Sequence, residues 1–356
     1  MKITRREFIR TTALIGTSAA LGLRSKASFS SSEETLAEKL YVYNWSYYVA
    51  EDTIPNFEKE FGVKVVYDNY SSNEELLAKL QAGGTGYDLI FPSDYMVGIM
   101  GSEGLLEELN LSNIPNFENI EKRFIKLPFD PENKYSVPYL WGTTGIGFSA
   151  EKVDEKVDTW NILWNEKYKG RISMLDDVRG LANPALKLLG CGINTTNPKE
   201  IEAAKQQLIK QKPLVKFYSS DTYIDFLKSG DIWLCQGYSG DVFQVMKENK
   251  SVKYAIPKEG SDLWIDNMCI PRGGKSKYTA EVFINYLLRP EVAAGISNFT
   301  WYANPNEASH KFIKPEIMKN PAIYPPKEIL DKCEFQKDVG EATELYEQLY
   351  NEVKSS

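Results

Sequence analysis

A single histidine, His310, stands among 356 residues, and that scarcity removes whole classes of chemistry. Neither a Ser-His-Asp relay nor a multi-histidine metal site is expected on one imidazole without a partner pattern. His310 lies in Asn306-Glu307-Ala308-Ser309-His310-Lys311 and reads as a surface helix residue. The four cysteines, Cys191, Cys235, Cys269 and Cys333, are far apart and form no CxxC or metal-ligand spacing. Two states stay open for them, buried thiols or one or two disulfides, because an exported protein permits either. The one glycine-rich turn, Gly83-Gly84-Thr85-Gly86, precedes a strand instead of opening a helix, the wrong order for a dinucleotide or P-loop site, and reads as a helix stop. No cofactor and no bound metal are therefore expected. Past the N-terminus, no run reaches the ~18 apolar residues of a membrane helix.

The N-terminus itself is read as a leader and not as fold. Thr4-Arg5-Arg6-Glu7-Phe8-Ile9-Arg10 is a twin-arginine pattern, followed by the small, apolar run Thr11 to Leu23 and a polar stretch ending at Ser25-Lys26-Ala27. Charge, apolar run and small-residue region in that order predict a signal peptide over 1–27, cleaved near Ala27, and hence a periplasmic protein. Its removal takes away six basic residues and one acidic residue, leaving 36 against 48 and a formal charge of −12. An acidic surface argues against nucleic acid and anionic lipid as partners and favours a cationic ligand. The remaining length is too great for one ordinary core, so two domains are expected.

Hydrophobic periodicity sorts the first part of the mature chain into alternating elements. Strands are expected at Lys39 to Asn44, Val63 to Tyr67 and Tyr87 to Phe91, with helices at Ala50 to Phe61 and Asn73 to Ala82 between them. That is a βαβαβ unit, which implies a parallel sheet with right-handed crossovers. Val137 to Phe148 reads as an extended crossing into a second domain, with glycines where the backbone bends. Strands near Ile172 to Met174 and Ile232 to Gln236, and helices near Pro198 to Lys210 and Ile224 to Ser229, build that domain. The chain returns to the first near Asp266, through helices at Tyr278 to Leu288 and Pro290 to Asn298. Glu341 to Val353 is a final amphipathic helix.

Against this frame the aromatic residues are unevenly placed. Short clusters beside isolated carboxylates recur: Tyr41-Val42-Tyr43-Asn44-Trp45-Ser46-Tyr47-Tyr48, Ser93-Asp94-Tyr95, Tyr238-Ser239-Gly240-Asp241, Trp264-Ile265-Asp266 and Trp301-Tyr302. Aromatics are usually core residues, but Trp45 to Tyr48 follow the first strand directly and Ser93 to Tyr95 follow the third. In open parallel sheets ligands bind beyond the carboxyl ends of the strands. Rings attract ammonium groups and carboxylates fix them through charge-assisted hydrogen bonds. The pattern suggests a box for an organic cation.

At Tyr43-Asn44-Trp45, Pro92-Ser93, Asp176-Asp177, Pro257-Lys258-Glu259-Gly260 and Trp264-Ile265-Asp266, the chain resembles the periplasmic spermidine/putrescine-binding proteins of bacterial polyamine ABC importers. The resemblance covers nearly the whole mature chain, including Asn133 to Gly142, Leu288-Arg289-Pro290 and Gln336 to Gly340. It implies a two-lobed α/β periplasmic-binding-protein fold, each lobe a mainly parallel sheet flanked by helices, with a polyamine in the cleft between. The lobes would be 35–141 plus 266–310 and 146–261 plus 315–356. It further implies that Trp45, Ser46, Tyr48, Ser93 and Tyr95 line the cleft from the first lobe. Asp177, Ser220, Tyr238, Asp241, Trp264, Asp266, Tyr302 and Gln336 complete the implied site. For Asp177, in Leu175-Asp176-Asp177-Val178, a helix-capping role is the alternative. Tyr238 stands where relatives usually carry Trp, and Asp241 matches an acid of the putrescine-preferring branch.

Two departures bear on the ligand. Tyr47 replaces an acidic residue common after the Trp-Ser/Thr pair, and Gly180 replaces a Glu. The expected function is a non-enzymatic, monomeric binding protein that captures putrescine or spermidine and delivers it to the membrane permease of an ABC importer. The alternative is a ferric-ion or other small-solute binding protein of the same two-lobed fold, since paired tyrosines such as Tyr47-Tyr48 can ligate iron.

Overall fold

Leu40 and Val42 are buried while Tyr41 faces outward, the alternation that lets one face of a strand join a core. This strand opens the architecture of the computed structural model, which describes residues 35–83 and 86–356. The expected leader and its cleavage point lie outside the described residues. Ten strands follow in chain order: β1 (Lys39–Trp45), β2 (Lys64–Tyr70), β3 (Leu89–Ile90), β4 (Ser136–Ser149), β5 (Ile172–Met174), β6 (Val215–Tyr218), β7 (Leu234–Tyr238), β8 (Val252–Ala255), β9 (Asp262–Cys269) and β10 (Glu334–Phe335).

Their order is β2-β1-β3-β9-β4-β7-β5-β6, with β10 beside β9 and β8 beside β4. β1, β2 and β3 pair in parallel, as do β5, β6 and β7. Between these two parallel sets run β9 and β4, antiparallel to each other, with β9 antiparallel to β3 and parallel to β10, and β4 antiparallel to β7. β4 carries the chain outward and β9 brings it back, which accounts for the antiparallel centre. From Ser136 to Thr143, β4 pairs with β9; from Thr144 it pairs with β7 and, further on, with β8. One strand thus belongs to both halves of a two-lobed α/β fold.

Each half has its own core. Leu40, Val42, Phe57, Leu89 and Phe91 pack with Phe283, Ile284 and Leu287 of the helix Lys277–Leu287 in the first. Ile172, Met174 and Leu234 pack with Leu181, Ala185 and Leu208, and with Tyr346, Leu349 and Val353 of the helix Thr343–Ser355, in the second. Ile317 and Ile323, from the segment expected in the second lobe, pack into the first core.

Several expectations shift in detail. The third strand contracts from Tyr87–Phe91 to Leu89–Ile90, the first helix starts at Thr53, and the strand expected at Ile232 begins at Leu234. The glycines of Gly142-Thr143-Thr144-Gly145-Ile146-Gly147 do not serve as bends: they lie in the strand, where the rings of Trp264 and Tyr254 approach Gly142 and Gly145, and Cys235, Val242 and Leu227 approach Gly147. A Cβ at Gly142 would sit 2.7 Å from Cζ2 of Trp264. His310 lies in a short 3-10 helix and is half-buried, with Nε2 3.2 Å from the Asn304 carbonyl. All four cysteines are free thiols, and Cys235 and Cys269 are buried.

Candidate functional site

Strand ends and helix beginnings place the polar side chains. β1 ends at Trp45, whose indole N–H donates to the Phe91 carbonyl at 2.9 Å and whose ring packs 4.5 Å from that of Tyr70 at the end of β2. Ser93 precedes the helix Asp94–Ser102, and Asp177 caps the helix Val178–Leu188 that follows β5. β7 ends at Tyr238, and Asp241 sits in the first turn of the next helix, Ser239–Glu248. Carboxylates at helix N-termini are favoured as anions by the dipole, and at Asp177 the Arg179 guanidinium adds to that effect.

These ends meet around one cleft of about 860 Å³, continuous with solvent. All thirteen residues expected from the sequence line it: Trp45, Ser46, Tyr48, Ser93, Tyr95, Asp177, Ser220, Tyr238, Asp241, Trp264, Asp266, Tyr302 and Gln336. Tyr47, Asp94 and Gly180 line it too. Asp221 and Asp262 are carboxylates of the lining that the sequence reading missed. None of the described lining residues is Lys, Arg or His.

Two carboxylates are held by phenols. Asp266 accepts from the Tyr48 hydroxyl at 2.5 Å and from Ser93 Oγ at 2.6 Å; Asn73 in turn donates to Ser93 Oγ at 3.0 Å. Asp241 accepts from Tyr302 at 2.7 Å and from Tyr223 at 2.8 Å. Burial pushes Asp266 up to about 7, against the two hydroxyl donors, and Asp241 up to about 6. Asp177 accepts the Gly180 N–H at 2.5 Å and also lines the cleft, so capping and exposure to the cleft coincide. Burial raises its pKa and so, to a lesser degree, does the charge of Asp262. Glu74, which accepts from Tyr95 at 3.1 Å, is raised to about 7 by burial and by Asp177.

Rings join the acids. Tyr238, Trp264, Tyr302 and Tyr48 form a run of edge-to-face contacts, with centroids 6.0, 5.2 and 5.4 Å apart. The Trp264 indole N–H and Gln336 Oε1 are buried without protein partners. Ser220 Oγ is committed to the backbone, accepting from Asp176 N at 3.1 Å. Tyr47 stands at the rim, 66% exposed, with φ 57°. Asp94 is wholly buried; its Oδ1 takes the Tyr95 N–H at 2.8 Å, while its Oδ2 has no partner. Burial holds the Asp94 carboxyl well above the usual carboxylate range.

Asp262 was legible in principle. Alternate residues of a strand share a face, and Asp262, Trp264 and Asp266 follow that spacing along β9.

Comparison with known proteins places the chain. The model of the bacterial extracellular solute-binding protein family matches residues 53–325. The spermidine/putrescine-binding periplasmic protein of Escherichia coli K12 is 39% identical over 338 residues, 94% of this chain and 96% of that protein. The putrescine-binding periplasmic protein PotF of the same organism is 38% identical, covering 87% of this chain and 90% of that one. Among solved structures, the spermidine/putrescine ABC transporter substrate-binding protein PotD of Streptococcus pneumoniae superposes with a TM-score of 0.76 at 34% identity, over 90% of this chain and 99% of that one. The chain belongs to the bacterial extracellular solute-binding protein family.

Proposed function

We propose that this protein captures a linear polyamine, putrescine or spermidine, outside the cytoplasm and delivers it to the permease of an ABC importer. The observation that carries the reading is a cleft walled by aromatic rings and several buried carboxylates, with no Lys, Arg or His among its described lining residues. Buried anions without cations are costly, and a ligand that brings the cations relieves that cost. Methylene segments between ammonium groups match the rings of Trp264, Tyr302 and Tyr48. Relatives named for spermidine and putrescine binding support the same class.

The ferric alternative needs phenolates. Tyr48 instead donates its proton to Asp266 and is held well above the ordinary tyrosine pKa, mainly by burial, while Tyr47 is exposed at the rim. The Tyr48 phenol is thus committed to Asp266.

Export through the twin-arginine route, a periplasmic site of action, a monomeric state and a non-enzymatic role complete the proposal. The moving lobes follow the two parallel sets of strands: 35–141 with 266–310, and 146–261 with the C-terminal helix. Residues 315–324 travel with the first, because Ile317 and Ile323 belong to its core. Thermal melting of the mature protein against putrescine, cadaverine, spermidine, spermine, ferric citrate and maltose tests the ligand class. A rise confined to polyamines is expected; a rise only with iron or the sugar would overturn the reading.

A further inference from the structure

Three carboxylate stations can be distinguished in the cleft. Asp266 is held by Tyr48 and Ser93, and Asp241 by Tyr223 and Tyr302. The third consists of Asp177 and Asp262, close enough for the Asp262 charge to act on the Asp177 carboxyl. Tyr238 stands amid all of them, its phenol within the field of Asp177, Asp262, Asp241 and Asp266.

Asp262 is only 3% exposed, and the side chains of Thr144, Asn183 and Ser261 favour its ionised form against burial. Thr144 Oγ1 donates to Oδ2 at 2.7 Å. The other oxygen has Ser261 Oγ at 3.4 Å, but that hydroxyl donates to the Thr144 carbonyl at 2.5 Å, and one proton cannot serve both well. Asp177 spends one oxygen on the Gly180 N–H. A diamine can neutralise two stations and leaves this third pair of acids with only the Arg179 guanidinium acting on Asp177.

We propose that Asp262, with Asp177, forms a third ammonium station that gives this cleft its preference for triamines over diamines. This rests on the polyamine reading above. A triamine of the spermidine type places one cation at each station, with the carboxylate pair sharing one ammonium. A diamine binds with one station either protonated or unpaired, and so more weakly.

Titration calorimetry at pH 7.5 with putrescine and spermidine, on the mature protein and its Asp262→Asn variant, tests the assignment. The variant is expected to lose spermidine affinity by about tenfold more than putrescine affinity, the loss following from removal of one partner of a buried charge. Equal factors for the two ligands, or a larger loss for putrescine, would overturn the third station while leaving the polyamine reading intact. A wild-type protein that binds neither amine would refute the polyamine reading and this inference with it. Melting of the ligand-free variant separates a structural role, since removing an uncompensated buried charge should leave the melting temperature unchanged or raise it. If Asp262→Asn does not fold, Thr144→Val makes the same test: it withdraws the donor that favours the ionised acid and should likewise lower the spermidine-to-putrescine affinity ratio. An unchanged ratio there would overturn the proposal.

Discussion

Replacing Asp266 by asparagine keeps the shape of the side chain and removes one charge from the most completely built station. The wild-type carboxylate is 5% exposed and accepts short hydrogen bonds from Tyr48 and Ser93. Both hydroxyls can still donate to the amide oxygen, so the protein should fold. What is lost is the partner of a buried ammonium, and breaking such a pair costs about 3–5 kcal/mol, a loss in affinity of between about 10²-fold and several thousandfold. The loss must depend on pH. With its pKa raised to about 7, Asp266 is mostly ionised at pH 7.5 and mostly protonated at pH 5.5. At pH 5.5 the wild type forfeits about 30-fold in affinity at this group alone, because the ligand must first expel the proton. The asparagine variant has no such proton, so the gap between the two proteins should shrink by about that factor. Asp241 titrates in both proteins and cancels from the ratio. Calorimetric titration with putrescine at the two pH values measures this directly. A loss below about fivefold at pH 7.5, or the same loss at both pH values, would refute the assignment of Asp266 as a buried amine partner.

Asp94→Asn should weaken polyamine binding far less than Asp266→Asn, because Asp94 is wholly buried with one oxygen spent on the Tyr95 N–H and burial favours its uncharged form; competitive binding of both variants would show it. Gly180→Ala should destabilise the protein by about 1 kcal/mol, since the new Cβ would lie 2.8 Å from Asp177 Oδ1 and disturb the cap, and thermal melting would reveal no change if that contact is harmless. The raised pKa values of Asp241, about 6, and Asp266, about 7, mean that the native state holds protons the unfolded chain has released. From these groups, ligand-free stability should fall as pH rises from about 4 to about 7, and the stabilisation by saturating polyamine should be larger at pH 8 than at pH 5; equal ligand-induced melting shifts at both pH values would contradict it. Ligand should also draw the lobes together, so small-angle scattering at saturation should give a smaller radius of gyration than without ligand.

Much of the fold is readable because its elements are locally consistent. The βαβαβ opening announces itself through Leu40 and Val42 on one strand face and through Ser72, which caps the helix Asn73–Gln81 by accepting the Glu75 N–H. The crossing strand was also legible, but the reason for its glycines was not: Trp264 lies 122 residues from Gly142, and nothing local reports that the two will touch. The site shows the same division. Motif residues such as Trp45, Asp241 and Asp266 each stand within a short aromatic cluster, so the sequence alone brings them to notice. Asp262 escaped because its surroundings, Thr144 and Asp177, come from distant segments. The proton affinities were beyond sequence for a similar reason, since burial is a property of the assembled cleft.

The central claim is that buried carboxylates in this cleft are waiting for the ammonium groups of a polyamine. Titration calorimetry of the ligand-free mature protein with spermidine, repeated near pH 7 in two buffers of different ionisation enthalpy, tests it most directly. One-to-one saturation is expected, with heats that differ between buffers because Asp266 and Asp241 release protons as the ligand binds. No saturable heat with any linear polyamine, or saturation with no proton release, would contradict the account.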